Sequence, residues 1–191
     1  MLFRSVTASA QSTTYGTALV LGTNNAGATR LTTSGLVNSD AVTAVVLQQN
    51  SNTTVPGTQN AGSYSGSTNG ILISGASGSG LSNYTITYVP GTLTINQKAL
   101  TITATNDSKT YGDVKTYGAG SSAFTSSGLV NSETIGSVTI TDTNSGGVAT
   151  AAANGSYALT PSAAVGGTFN INNYAVTYTR SEEHTSELQS H

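Results

Sequence analysis

Along most of the chain, apolar residues alternate with hydroxyl-bearing ones. Tyr84, Ile86 and Tyr88 fall on one side of a two-residue period, and Thr85 and Thr87 on the other. Tyr174, Val176 and Tyr178 repeat the pattern. Leu100, Ile102 and Ala104 alternate with Thr101, Thr103 and Thr105, and Val138 and Ile140 with Thr139 and Thr141. A period of two predicts strands buried on one face, apolar side chains inward and Thr outward. Gly, Asn and Ser clusters separate about six or seven such runs in each half, the spacing of an antiparallel β-sandwich of immunoglobulin-like type. Pro90-Gly91, between Tyr84–Val89 and Thr92–Ile95, reads as a hairpin turn. Phe124 to Ile135, around Gly-Leu-Val-Asn-Ser, fits either a strand-to-strand crossover or a short helical turn. β-grasp-like repeats with one short helix are therefore the alternative to the all-β sandwich.

The pattern occurs twice. Val6–Gly16 aligns with Ile102–Gly112 at an offset of 96, and Ser34–Asp40 with Ser127–Glu133 at 93. Gly62-Ser63-Tyr64 matches Gly155-Ser156-Tyr157 at 93, and Asn83–Tyr88 matches Asn173–Tyr178 at 90. Collinear matches with a slowly drifting offset mean small insertions in loops. Solenoid coils repeat at roughly 20–45 residues, so a period near 93 indicates whole small domains in tandem. Asn96-Gln97-Lys98 joins the two with neither Pro nor Gly, and the expectation is a stiff rod of units docked nearly end to end.

Composition narrows the function. Charged residues make up 7% of the 191, with a net charge of −2, and six Lys+Arg cannot form a face for nucleic acid. The chain has no Cys, which excludes a thiol enzyme, a disulfide scaffold and a Cys-ligated metal. No apolar run approaches the roughly 20 residues of a membrane helix. The low charge goes with 33 Thr, 26 Ser, 16 Asn and 22 Gly, about half the chain.

Both ends depart from this composition. Residues 180–191, Arg-Ser-Glu-Glu-His-Thr-Ser-Glu-Leu-Gln-Ser-His, hold three of the eight acids and both histidines. The string resembles a translated short-read sequencing adapter, and Met1–Ser5 resembles the translated reverse complement of the same adapter. The expected organisation is an adapter-like scar at 1–5, a first repeat at 6–98, a second, C-terminally truncated repeat at 99–179, and a second scar at 180–191. Between the scars lie Arg30, Lys98, Lys109 and Lys115 against Asp40, Asp107, Asp113, Glu133 and Asp142, with no His.

Leu100–Ala104, then Lys109-Thr110-Tyr111-Gly112-Asp113, Ser127–Asn131 and Asn173–Tyr178 resemble the MBG/YDG-type (mostly bacterial Ig-like) tandem repeats. The first repeat adds Gly91-Thr92-Leu93-Thr94-Ile95 as a closing element. The departures are Thr13 and Thr17 in place of Lys109 and Asp113, and Ser39 and Ser132 where the family more often has Gly. The resemblance implies a module of a large filamentous-haemagglutinin-like exoprotein, displayed at the bacterial cell surface or secreted. It implies a stalk or adhesive role contributing to adhesion or biofilm, and it brings no catalytic or binding residues.

The residues themselves offer few sites. Acid–base catalysis needs a histidine or a carboxylate pair in a pocket. Asp107 and Asp113, with Lys109 and Lys115, are the one close group, read either as a carboxylate pair for sugar hydrolysis or Ca²⁺, or as a solvated turn. In the first repeat Gln11 and Thr17 replace the acids, so the fold does not require them. Ser108-Lys109 cannot act as a dyad if extended, because neighbouring strand residues face opposite ways. Tyr84/Tyr88 and Tyr174/Tyr178 suit either core packing or a sugar-stacking platform. Glycosylation sequons begin at Asn52, Asn83, Asn106 and Asn154, as an Asn-, Ser- and Thr-rich composition would produce. The expectation is a non-catalytic spacer with no assigned catalytic, metal or cofactor residue. Its partners are the neighbouring repeats, with host or cell-surface glycans for the alternative of a carbohydrate-binding module. A carbohydrate-active enzyme fragment is the distant alternative.

Overall fold

A computed structural model describes residues 2–25 and 30–186, in two compact units spanning 1–97 and 98–191. The fold is all-β. The first unit contains β1 (Leu2–Ala8), β2 (Gln11–Thr14), β3 (Leu19–Val20), β4 (Gly22–Asn25), β5 (Leu31–Ser34) and β6 (Ala41–Gln48). It continues through β7 (Thr54–Val55), β8 (Gly62–Tyr64), α1 (Gly66–Asn69), β9 (Leu72–Ser79), β10 (Tyr84–Val89) and β11 (Leu93–Asn96). The second unit contains β12 (Lys98–Ala104), β13 (Asp107–Thr110), β14 (Phe124–Ser127), β15 (Ile135–Asp142), β16 (Ser156–Gly167), β17 (Tyr174–Thr179) and β18 (Ser181–Ser186). Gln97 alone separates β11 from β12.

The repeat is visible strand by strand. In the first unit β1 lies between β10 and β5, and in the second β12 lies between β17 and β14. The hairpin-type ladders β6–β9 and β15–β16 are antiparallel. The first and last strands of each unit instead pair in parallel: β1 with β10 and β2 with β11, then β12 with β17 and β13 with β18. The entering and leaving segments thus run side by side, and each passes from one sheet to the next at the same level.

That shared crossing explains Pro90-Gly91. The pair does not join two strands of a hairpin, because β10 bonds to β1 while β11 bonds to β2 and β8. It carries the chain between sheets. Gly91 exchanges two backbone hydrogen bonds with Ile71, at 2.9 and 2.8 Å. A Cβ at Gly91 would stand 2.5 Å from the Ala8 carbonyl oxygen and 2.8 Å from that of Ser9, so only glycine lets the two crossings approach.

The drifting offsets have a structural cause. β16 is continuous over twelve residues, whereas its counterpart in the first unit is broken into β8 and β9 by an insertion carrying α1. The Phe124–Ile135 segment forms β14 followed by a turn, so the short α-helix lies elsewhere, in the loop of the other unit.

The alternating apolar residues fill the cores. Val6, Val45, Leu47, Val55, Ile71 and Leu93 are at most 1% exposed in the first unit, as are Leu100, Ile102 and Val138 in the second. Each such side chain contributes about 1.5–3 kcal/mol relative to an exposed one. The inward faces are continuous enough that a one-residue slip would turn every one of them to solvent.

Residue 1 and residues 187–191 of the adapter-like ends lie outside the described residues. The remainder is built into strands, Leu2–Ser5 within β1 and Ser181–Ser186 as β18. Register places Arg4 opposite Ile86 where the second unit has Leu100 opposite Val176. Leu100 is 1% exposed, whereas the Nε of Arg4 is buried without a hydrogen-bond partner. Leu2 and Phe3 are exposed.

Candidate functional site

The mixed-charge group of the second unit is the natural place to look for chemistry. β13 carries Asp107 and Lys109, and the loop after it carries Asp113, Lys115 and Tyr117. Asp107 and Lys115 form an ion pair through Oδ1, and the Tyr117 hydroxyl donates to Asp107 Oδ2 at 3.1 Å. Ser108 N–H donates to Oδ1 at 2.8 Å. Burial pushes the Asp107 carboxyl up, but the Lys115, Ser108 and Tyr117 hydrogen bonds outweigh it and hold the group below its ordinary 3.8.

Lys109 is not part of a solvated turn. It is 5% exposed, and its ammonium donates to the Val148 carbonyl at 2.6 Å and the Asp113 carbonyl at 3.1 Å. A buried ammonium is tolerable only with such acceptors. Asp113 therefore meets it through the backbone, not as a second catalytic carboxylate. Ser108, next to Lys109 on β13, is exposed while Lys109 is buried, so the two share no face.

Beside this group opens a shallow cleft of about 550 Å³, lined among others by Val114, Lys115, Tyr117, Thr139, Asp142 and Val148. Its charged groups and Tyr117 are already engaged. Asp142 Oδ2 accepts from Gly147 N at 2.7 Å and Oδ1 from Asn144 N at 3.3 Å, which closes the loop after β15. Among the described residues no group of three or more His, Cys, Asp or Glu side chains converges as a metal site would require.

The first unit answers the same structural demands without charge. Thr13, the counterpart of Lys109, donates through Oγ1 to the Thr17 carbonyl at 3.0 Å, and Thr17 is the counterpart of Asp113. Both bonds brace the Tyr-Gly turn, where Gly16 and Gly112 have φ of 87° and 95°. The lysine of one unit and the threonine of the other thus serve one job, fastening a turn through a backbone carbonyl.

The paired tyrosines are fasteners too. Tyr84 and Tyr174 are 5% and 2% exposed, buried too deeply for a sugar platform. The Tyr84 hydroxyl donates to Asp40 Oδ2 at 2.7 Å and accepts from Val37 N at 3.2 Å. Tyr174 repeats this with Glu133 Oε2 and with Val130 N at 3.2 Å. These partners lie in the Leu-Val-Asn-Ser turns, whose central residues Asn38, Ser39, Asn131 and Ser132 all have φ between 55° and 62°. Two successive left-handed residues define a type I′ turn. Tyr88 and Tyr178 accept from Ala76 N and Ala164 N at 3.0 and 2.9 Å, tying β10 and β17 back to the preceding strands β9 and β16. The acidic partners Asp40 and Glu133 were not singled out from sequence, although an acid directly follows Val-Asn-Ser in both repeats.

The sequons are not gathered into one place. Asn52 lies in a turn after β6, Asn83 in a 3₁₀ turn before β10, Asn106 between β12 and β13, and Asn154 in a left-handed turn before β16.

The family model for the MBG domain (YGX type) matches residues 5–94 and, again, residues 100–182. No curated protein and no solved structure matches the chain.

Proposed function

The chain belongs to the MBG domain (YGX type) family over both of its units, and from that membership we propose that it is a pair of non-catalytic spacer modules from a large bacterial surface or secreted adhesin. The observation that carries this reading is what becomes of the candidate site residues. Asp107, Lys109, Lys115, Asp142, Tyr84 and Tyr174 all have partners within the fold, and each of these bonds fastens a turn or loop to its neighbours. A module whose polar groups are spent on its own loops supplies length and a soluble surface. The exposed Thr and Ser faces keep that surface wet at low charge, and the one-residue junction at Gln97 suits tandem repetition. An extracellular setting follows from the family's use in surface proteins. No helix among the described residues is long and apolar enough to cross a membrane.

The test is binding by the whole chain. Titration against a glycan array and against immobilised bacterial and host cells should give no saturable signal. Saturable binding abolished by Tyr117→Ala, with unfolding unchanged, would replace the spacer with a carbohydrate-binding module centred on the cleft beside Lys115.

A further inference from the structure

The chain contains two Asn-Gly pairs, Asn69-Gly70 and Asn154-Gly155, and the fold holds them differently. In such a pair the backbone nitrogen can reach the preceding side-chain amide, because glycine puts no Cβ in the way. At Asn69 the side chain is exposed but the backbone is locked. Gly70 is buried at the end of α1, its N–H donates to the Gly66 carbonyl at 3.0 Å, and the Asn69 carbonyl accepts from Gln49 Nε2 at 3.3 Å. A Cβ on Gly70 would stand 2.5 Å from the Gly91 carbonyl oxygen, so this backbone has no room to turn.

Asn154 is also exposed, and no hydrogen bond holds its side chain among the described residues. It is the third residue of the turn Ala152–Gly155, closed by a 3.2 Å bond from Gly155 N to the Ala152 carbonyl, and its φ is 57°. A left-handed third position selects Gly or Asn. Gly155 is fixed by a different demand. A Cβ there would stand 2.6 Å from the Tyr157 ring, whose hydroxyl donates to the same Ala152 carbonyl at 3.3 Å. Turn geometry at one residue and ring packing at the next thus put a reactive pair on the surface. The first unit has Ala61-Gly62 at this place, which has no amide to react.

We propose that Asn154 is a site of spontaneous modification, a chemical clock that the second unit carries and the first lacks. The Gly155 nitrogen attacks Asn154 Cγ, closing a cyclic imide. The Cγ–Nδ2 bond breaks, and the side-chain nitrogen leaves as ammonia with the proton of the Gly155 N–H. Water then opens the imide at either carbonyl, giving aspartate or isoaspartate and one new negative charge. Aspartate can keep the left-handed conformation. Isoaspartate adds a methylene to the main chain, so the turn can no longer close on the Ala152 carbonyl. That turn leads into β16, which pairs with β15, and the reaction loosens the entry of the strand. This goes beyond spacing, since it gives two repeats of one fold different lifetimes.

The experiment ages the full chain at mildly alkaline pH and follows both asparagines by peptide mapping, with isoaspartyl methyltransferase and labelled S-adenosylmethionine as the probe for isoaspartate. Asn154 is expected to convert at least tenfold faster than Asn69, with isoaspartate the larger product. In urea the two pairs should convert at rates within threefold of each other, because the fold makes the difference. Asn154→Gly keeps the left-handed turn, so it should melt like the parent and take up at least tenfold less label. Hydrogen exchange in the aged chain should quicken at 155–159 and stay unchanged at 62–64 and 72–79. Equal rates at Asn69 and Asn154 in the folded chain, an Asn154 that stays intact while the unfolded chain converts, or undiminished label in Asn154→Gly would each overturn the proposal. Unchanged exchange at 155–159 in chains carrying isoaspartate would do so as well.

Discussion

The Tyr84 hydroxyl donates a 2.7 Å hydrogen bond to the Asp40 carboxylate, 44 residues earlier in the chain. The bond ties the core strand β10 to the rim of the type I′ turn that precedes β6. Tyr174 and Glu133 reproduce it in the second unit with a longer acidic side chain. Tyr84→Phe should therefore destabilise the first unit by about 1.5–3 kcal/mol, the worth of a hydrogen bond to a charged acceptor. Tyr174→Phe should do the same to the second. Urea unfolding followed by circular dichroism checks this, and a change below 0.5 kcal/mol (about the uncertainty of such an extrapolation) would show that the rings act by packing alone.

Arg4 occupies a core position with a buried Nε that no acceptor meets. Its guanidinium carbon lies 5.5 Å from the centre of the Tyr84 ring, which returns about 0.5–1 kcal/mol. An unpartnered buried polar group costs about 1–3 kcal/mol, so Arg4→Leu should stabilise the first unit by about 1 kcal/mol. The expected readout is a higher melting temperature for that unit and none for the other.

Lys109 fastens two carbonyls from separate loops, those of Asp113 and Val148. Lys109→Met keeps the stem and removes both bonds, and should cost about 1–3 kcal/mol. Lys109→Thr imports the solution of the first unit, where Thr13 reaches the Thr17 carbonyl. It should destabilise less than its loss of apolar stem suggests. Chemical denaturation of the two variants side by side decides the matter.

The Asp107 carboxyl titrates below its ordinary 3.8 in the folded unit. As pH falls the unfolded chain takes up this proton first, which favours unfolding. The stability it contributes is thus fully present above pH 3.8 and is lost as pH falls through the lower folded value. The pair with Lys115 is about a third exposed, so solvent screening keeps the effect under about 1 kcal/mol. The parent should exceed Asp107→Asn in stability at pH 7, and the two should converge as pH falls below the lowered folded value.

Much of the fold is legible in the alternation of Thr with apolar residues. The inward residues of β12 and β15 can be read directly from it, because a half-buried strand leaves a period of two, whereas in β10 Tyr84 is buried and Tyr88, two periods on, is exposed. The pairing of those strands is not legible locally. Pro90-Gly91 has hairpin chemistry, and only the bridge to Ile71 and the close Ala8 carbonyl reveal a crossing between sheets. The surroundings of Lys109 are not legible in the sequence for a related reason. A lysine flanked by polar residues reads as solvated, and the carbonyl that allows Lys109 to be buried comes from Val148, 39 residues away. The tyrosine–acid pairs were open to detection, since Tyr84 with Asp40 and Tyr174 with Glu133 recur at matched places in both repeats.

The parallel pairing of entering and leaving strands has a mechanical consequence. Tension on the chain draws β1 and β10, or β12 and β17, in opposite directions along their own axes. The six register pairs of each ladder are then loaded together, in shear, where an antiparallel pair of terminal strands would be peeled open one rung at a time. Such a unit resists until the whole ladder fails and then releases its full contour at once, about 30 nm for about 90 residues. A surface tether made of these units would hold its length under flow and extend in discrete steps when overloaded.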